Sequence, residues 1–454
     1  MRIFLNVFQF SWQEFCRAVV KVFYRQCEVD GLEYLPRQGA VLLCANHANA
    51  LADAVLIQAV IPRLVHPLAR SGLFKNWLLK PFMLVMQAVP VYRSQDNDGS
   101  TGNNMDSFQR VYDNFKLGEL ILIFPEGQSH SDPKLRPIKT GAARITLGAL
   151  QQSIPVSVVP LGLNFSNKGK FRSNVLLKFG PPIELPTCTE PASDDLIQGL
   201  TQDIQNAIAD VTLNVEKADE LDFLKSIERF FALRHGKYRK RNQALRFRAL
   251  KKISHGYQQL SLYAPEEVRD IQIRLRQFER LCNTWKVHAY QVTIQYTPLL
   301  VLRFLLRSLA MLLIILPVGL WGILNSVVPF MLTRWLARFI SRGTDQYDTA
   351  KMTIGLFLFV VFWGIQIWQL SFYLSNNWLW LYILSLPISA AAALLLRRER
   401  HRIWVNLRVF FLFTRKRKLK RYLEHRREEL ERDLARLVRT AKQITPTKPD
   451  DNKT

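Results

Sequence analysis

The sequence predicts a layered α/β domain with a mostly buried sheet, followed by a charged helical region and a C-terminal helical membrane domain. Three observations carry this. Between about residues 31 and 185, short apolar runs alternate with helix-like stretches. Residues 190–296 lose that alternation and read as helical and heavily charged. From Ser308 onward, three uncharged apolar stretches follow one another. The domain bounds drawn from these changes are 1–30 for an amphipathic N-terminal helix, 31–215 for the α/β domain and 216–296 for the charged helices. Membrane segments then occupy 297–396, and a basic helical tail 397–454.

In the first segment Phe4, Phe8, Trp12, Phe15, Val19 and Phe23 recur three or four apart, with Arg17, Lys21 and Arg25 near the other side. That spacing is helical. Such a helix packs on its own domain or lies in a lipid surface, and its composition fits both. The start has neither a long apolar core nor a small-residue cleavage site, so it is not expected to act as a secretory signal.

Strands are predicted at Ala40–Cys44, Val65–Ala69, Ala88–Tyr92, Leu120–Phe124, Val156–Leu161 and Asn174–Phe179. Helices are predicted near 51–60, 74–86, 104–117 and 139–151. Near-continuous apolar strands between helices belong to a sheet covered on both faces. In open α/β sheets, ligands gather beyond the carboxyl ends of the strands. Asn46 and His47 follow the first predicted strand, Arg93 the third, and Phe124-Pro125-Glu126-Gly127 the fourth. Within the charged region, Ala264-Pro265-Glu266-Glu267 has the signature of a helix start.

The apolar stretches are Ser308–Met331, Met352–Ser375 and Trp378–Leu396. Each is long enough for a hydrocarbon core of about 30 Å. Trp363, Trp368, Tyr373, Trp378, Trp380 and Tyr382 gather around Asn376 and Asn377, as in an interfacial belt at a tight hairpin. Arg334, Arg338, Arg342 and Lys351 precede the second stretch, while Arg397, Arg398, Arg400 and Arg402 follow the third. The positive-inside rule places both groups on the cytoplasmic side. For the α/β domain to share that side, either one of the stretches does not span or Leu316-Pro317-Val318-Gly319 bends the first stretch into a re-entrant hairpin, and the bend is the expectation. The expectation is an integral, multi-pass membrane protein with its α/β domain on the cytoplasmic face.

Sixty-two Lys and Arg against 37 Asp and Glu give a net charge of +25. Such an excess implies a polyanion, either nucleic acid or an anionic membrane surface. The membrane stretches account for the basic flanks, and the run from Thr414 to Arg421 suits anionic head groups. Anionic membrane lipids are therefore the expected partner, and nucleic acid is not. The five cysteines, Cys16, Cys27, Cys44, Cys188 and Cys282, have no CxxC spacing. They read as reduced thiols, with no disulfide framework and no metal site.

Chemistry is expected at His47. A His where a strand ends, with Asp53 six positions on, is a general base with an orienting carboxylate. The remaining polar stations are Val89-Pro90-Val91-Tyr92-Arg93, then Phe124-Pro125-Glu126-Gly127-Gln128-Ser129-His130, then Arg136 to Gly141 with Lys139, and then Val158 to Asn164. A base, separated cations, a Glu-Gly turn and membrane anchoring fit acyl transfer to a phosphate-bearing alcohol. An Arg would hold the phosphate with its planar fork and a Lys as a point charge.

In this order the stations resemble the four motifs of the glycerolipid acyltransferase superfamily, all within residues 40–165. His47-Ala48-Asn49-Ala50-Leu51-Ala52-Asp53 and Phe124 to Asp132 look most like the fungal-type glycerol-3-phosphate/dihydroxyacetone-phosphate acyltransferases. The resemblance implies an acyltransferase-type α/β domain. In it His47 is the base, Asp53 its partner, Arg93 and Lys139 bind phosphate, and Glu126 and Gly127 shape the acceptor pocket. Transfer is direct from the thioester, with acyl-CoA or acyl carrier protein as co-substrate and no cofactor or metal. The acceptor implied is glycerol 3-phosphate or a similar phosphorylated glycerol, with a lysophospholipid such as 1-acylglycerol 3-phosphate as the alternative. A membrane-tethered lipid-binding protein with an inactive domain is the non-enzyme alternative. Two departures stand out. Five residues separate His47 from Asp53, where four are usual. The common Thr-Arg-Ser after Phe-Pro-Glu-Gly is replaced by Gln128-Ser129-His130, so His130, Arg136 or Lys139 must supply the missing cation. His130 itself reads as a pocket or structural residue rather than a second base.

Overall fold

Strand β2 (Ala40–Ala45) is at the middle of a seven-stranded sheet and is buried along its whole length. The computed structural model describes residues 2–75, 79–92, 103–187, 191–234, 243–294, 297–341 and 343–444. Its first elements are α1 (Arg2–Phe23), β1 (Gln26–Asp30), β2, α2 (Leu51–Val60), β3 (Val65–Arg70), α3 (Ser71–Lys75), α4 (Lys80–Val85) and β4 (Val89–Val91). Next come α5 (Asn103–Lys116), β5 (Leu120–Ile123), α6 (Gly141–Gln151), β6 (Val156–Phe165), β7 (Asn174–Phe179) and α7 (Asp194–Val211). The strand order is β1-β7-β6-β2-β5-β3-β4, parallel throughout except for the antiparallel β6–β7 pair.

Because side chains alternate along a strand, β2 feeds two cores at once. Val41, Leu43 and Ala45 face a layer with Trp12, Cys16 and Val20 of α1 and Leu56 and Ile57 of α2. Ala40, Leu42 and Cys44 face the opposite layer with Val111 and Phe115 of α5, Ile145 of α6 and Ile204 of α7. Burying each such Leu or Ile contributes about 1.5–3 kcal/mol, and this burial makes a six-residue apolar run a strand here. Helix α1 therefore packs on its own domain. Gln13 and Arg17 fasten it by donating to the carbonyls of Ile61 (2.6 Å) and Ala59 (3.2 Å).

Two elements differ from the sequence expectation. The helix expected near 74–86 is two short helices, α3 and α4, with residues 76–78 outside the described set. Strand β1 was not anticipated. Gln26-Cys27-Glu28-Val29-Asp30 has no apolar run, and only its parallel register with Asn174–Lys178 of β7 makes it a strand.

The chain divides into two compact units. The first comprises Met1–Leu221, Arg241–Arg248 and Phe339–Met352; the second comprises Asp222–Lys240, Ala249–Arg338 and Thr353–Thr454. The remaining helices are α8 (Ala218–Arg234), α9 (Gln243–Tyr263), α10 (Pro265–Thr284), α11 (Ala289–Val292), α12 (Pro298–Ile340), α13 (Thr344–Ser371), α14 (Asn376–Arg415) and α15 (Arg417–Ile444). In the second unit, Leu423, Leu430 and Leu434 of the basic tail pack with Val268, Ile271, Leu275 and Phe278 of α10. The tail's apolar stripe is thus internal, and it carries a buried charge, Arg427, which lies over the Phe230 ring and pairs with Glu431 at 2.8 Å.

Among the described residues, three helices are long and apolar enough to cross a membrane: Val301–Ile340, Gln346–Ser371 and Asn376–Arg415. The expected re-entrant bend at Pro317 is absent, because α12 runs unbroken from Pro298 to Ile340 with both Pro317 and Pro329 inside it. A proline removes one backbone donor, and neighbouring helices tolerate this in an apolar setting. Close packing helps, since a Cβ at Gly322 would fall 1.9 Å from the Ser389 carbonyl oxygen. Helix α13 begins at Thr344, eight residues before the predicted apolar stretch, so Lys351 is helical rather than in a loop.

Candidate active site

Strands β2 and β5 are parallel neighbours, so the loops that leave their carboxyl ends meet. One hydrogen bond to a side chain and one between backbones zip the two loops together. The His47 N–H donates to Glu126 Oε1 at 2.8 Å, and the His47 carbonyl accepts the His130 N–H at 3.1 Å. On the other side of β2, Asn46 holds β6 at both ends of its amide. It accepts the Leu163 N–H (2.7 Å) and donates to the Leu163 carbonyl (3.3 Å).

The His47 ring lies stacked on Phe124, with centroids 3.9 Å apart and planes 16° from parallel. Its Nδ1 is 3.1 Å from Asp53 Oδ2. The Asp53 side chain is fully buried, while that of His47 is 16% exposed. Asp53 Oδ2 also accepts the N–H groups of Ala48 and Asn49, each at 2.8 Å. A carboxylate at Nδ1 selects the tautomer that carries the proton there and leaves a lone pair at Nε2. The longer spacing, with five residues between His47 and Asp53, closes one loop through which a single carboxylate oxygen binds both the ring and two backbone donors.

Glu126 is turned inward. Its side chain is 1% exposed. Besides the His47 N–H, it accepts the Arg136 N–H at 3.1 Å and pairs with the His130 ring. Its carboxylate thus acts on the loops. Gly127 has φ +76°, and a Cβ there would lie 3.0 Å from Lys139 Cε. The Lys139 chain therefore runs over the glycine, with its backbone N–H on the Pro125 carbonyl at 2.8 Å. Lys139 is exposed. The Arg136 guanidinium is engaged by Asp132 at 2.7 and 3.0 Å. Arg93 lies outside the described residues. His130 is buried against Glu126, a structural placement. Among the described residues, no three His, Cys, Asp or Glu side chains gather as a metal-binding set.

Sequence reasoning overlooked three contributors. Phe124, on which the His47 ring stacks, has no signal apart from the motif that contains it. The Asn46 bridge spans 117 positions and has no local signal. Thr349, 300 positions from the loop, donates to the Asn49 carbonyl at 2.6 Å.

Residues 26–164 match the family model described as Acyltransferase. Over 135 residues the chain is 33% identical to glycerol-3-phosphate O-acyltransferase 2 of Saccharomyces cerevisiae, covering 28% of this chain and 18% of that protein. It is 24% identical over 213 residues to the 1-acyl-sn-glycerol-3-phosphate acyltransferase of Bacillus subtilis, covering 46% of this chain and 99% of that one. The 1-acyl-sn-glycerophosphate acyltransferase structure from Thermotoga maritima is 19% identical with a TM-score of 0.34, covering 45% of this chain and 79% of that one. The chain thus spans less than a fifth of the length of the yeast relative.

Proposed function

With an acyltransferase domain over residues 26–164, we propose that the chain is a membrane-bound O-acyltransferase. It moves a fatty acyl group from an acyl thioester to glycerol 3-phosphate or a similar phosphorylated acceptor in phospholipid synthesis. The observation that carries the reading is the His47–Asp53 contact of 3.1 Å beside the zipped β2 and β5 loops. His47 Nε2 takes the proton of the acceptor hydroxyl as its oxygen attacks the thioester carbonyl. The C–S bond then breaks, and the leaving thiolate takes the proton back from the imidazolium. Asp53 fixes the tautomer and stabilises that imidazolium. Lys139 and Arg93 hold the acceptor phosphate, and Glu126 and Gly127 shape the acceptor side by setting the loops. The chemistry calls for no cofactor beyond the donor, acyl-CoA or acyl carrier protein.

The yeast match at 33% identity favours glycerol 3-phosphate as acceptor. The Bacillus subtilis match, which runs nearly the full length of that protein, supports 1-acylglycerol 3-phosphate as the second reading. The three apolar helices and basic flanks support an integral, multi-pass protein, and with α12 unbroken a cytoplasmic domain requires that one of the three does not span the bilayer. They also support contact with anionic lipids rather than nucleic acid.

The test is thiol release from acyl-CoA by the purified full chain in lipid, offered glycerol 3-phosphate, dihydroxyacetone phosphate or lysophosphatidate. Glycerol 3-phosphate is expected to give the fastest release, and His47→Ala to lower it by at least about 100-fold. Fastest release with lysophosphatidate selects the second reading. No release with any acceptor removes the enzyme reading.

A further inference from the structure

Ala50, three residues after His47, has φ 46° and ψ −128° at the N-cap of α2. A non-glycine residue in such a conformation persists only where its surroundings hold it. Ala50 has no side-chain oxygen, so it cannot cap the helix it begins. The missing cap comes from a distant segment. The Thr349 hydroxyl donates to the Asn49 carbonyl at 2.6 Å and accepts the Ala52 N–H at 3.1 Å. The Ala52 N–H is shared with the Asn49 carbonyl at 3.0 Å. One hydroxyl therefore brackets the strained residue from both sides. It does so between His47 and Asp53.

The segment that carries Thr349 belongs to the same compact unit as the acyltransferase domain. It is anchored there independently. Asp348, 1% exposed, accepts the Gly169 N–H at 3.0 Å, and Lys351 Nζ donates to the Gly169 carbonyl. Gly169 lies in the β6–β7 connection at φ +70°. The Lys351 ammonium also lies 3.6 Å over the Tyr347 ring, and Met352 packs on the core that includes α1 and α2. Burial, then the Asp348 and Asp53 carboxylates, hold the Tyr24 phenol well above its ordinary value, which is consistent with the nearness of those two acids. This segment forms the first turns of α13, just ahead of its uncharged run from Met352.

We infer that Thr349 is a positioning residue for His47, through which the first turns of α13 brace the catalytic loop. The start of α13 thus completes the α2 N-terminus that holds the His–Asp pair in register. The inference rests on the acyl-transfer reading for its kinetic part and on geometry for the rest.

The test uses the full chain in lipid with Thr349→Val, which keeps shape and loses the hydroxyl, beside Thr349→Ser, which keeps the hydroxyl. Hydrogen exchange of the peptide spanning residues 47–53 is read with the kinetics. Thr349→Val is expected to speed exchange of that peptide about five-fold. It is also expected to lower kcat about 10- to 100-fold, with both KM values within about two-fold of wild type. Thr349→Ser is expected to recover both. Unchanged exchange in Thr349→Val overturns the bracing. Faster exchange with unchanged kcat overturns the positioning role, as does a failure of Thr349→Ser to recover. If the wild type transfers no acyl group, the proposed activity falls, and the exchange difference alone decides whether the segment braces the loop.

Discussion

Asp53 Oδ2 is 3.1 Å from His47 Nδ1 and, from the same oxygen, binds the N–H groups of Ala48 and Asn49. One buried atom thus sets both the ring and the loop that presents it. The two duties are separable. In Asp53→Asn the amide oxygen can still accept the backbone donors, but the charge opposite the imidazolium is gone. We expect kcat to fall on the order of 10²–10⁴-fold with little change in either KM and a small loss of thermal midpoint. Asp53→Ala also leaves two backbone donors without their acceptor, at about 1–3 kcal/mol each, so its midpoint should fall further. Equal kcat in wild type and Asp53→Asn would remove Asp53 from the chemistry.

Glu126 and His130 should behave as one unit. Their side chains are 1% and 7% exposed, and the carboxylate also holds the His47 and Arg136 N–H groups. Removing either partner leaves the other buried without its mate. Glu126→Ala and His130→Ala are each expected to destabilise by about 1–3 kcal/mol, and the double variant by less than the sum. The coupling is read from thermal or denaturant midpoints in a double-mutant cycle. A strictly additive cycle would contradict it. Only Glu126→Ala, which frees the His47 N–H directly, should also lower kcat strongly.

The parts of this site that were legible in the sequence are those set by local spacing. His47 and the Glu126-Gly127 turn follow strand ends, Asp53 lies in the first turn of the next helix, and buried parallel strands announce themselves as apolar runs. What escaped depends on tertiary pairing. Strand β1 is polar and exists through its register with β7. Asn46 reaches Leu163, and Thr349 reaches Asn49, across separations that no periodicity encodes. Pro317 misled for a related reason. Its helix-breaking cost is a local property, and packing in an apolar helix offsets it. The amphipathic first helix was ambiguous because the same apolar face suits a lipid surface or a sheet layer, and the contacts of Trp12, Cys16 and Val20 decide for the latter.

Gly127 links backbone geometry to the acceptor. At φ +76° a side chain is strained, and a Cβ would press on Lys139 at 3.0 Å from Cε and 3.3 Å from Nζ. Gly127→Ala is expected to destabilise by about 1–3 kcal/mol and to displace the ammonium. If Lys139 holds the phosphate, Gly127→Ala, Lys139→Ala and Arg93→Ala should each raise the acceptor KM about 5- to 30-fold while the thioester KM stays near wild type. Equal rises for both substrates would assign these residues to structure alone.

The protein's own thiols should stay silent while released CoA is measured. Burial pushes the Cys16 thiol up to about 12 and the Cys27 and Cys282 thiols up to about 11, and it raises Cys44 further still. The thiolate is the reacting form, so raising the pKa lowers the reactive fraction at any neutral pH. Cys188 lies outside the described residues and is removed as Cys188→Ser. That variant, titrated in its folded form with an aromatic disulfide near about pH 8, is expected to show almost no reactive thiol. After denaturation it should show the remaining four. A thiol that reacts within seconds in the folded protein would contradict the burial of its cysteine.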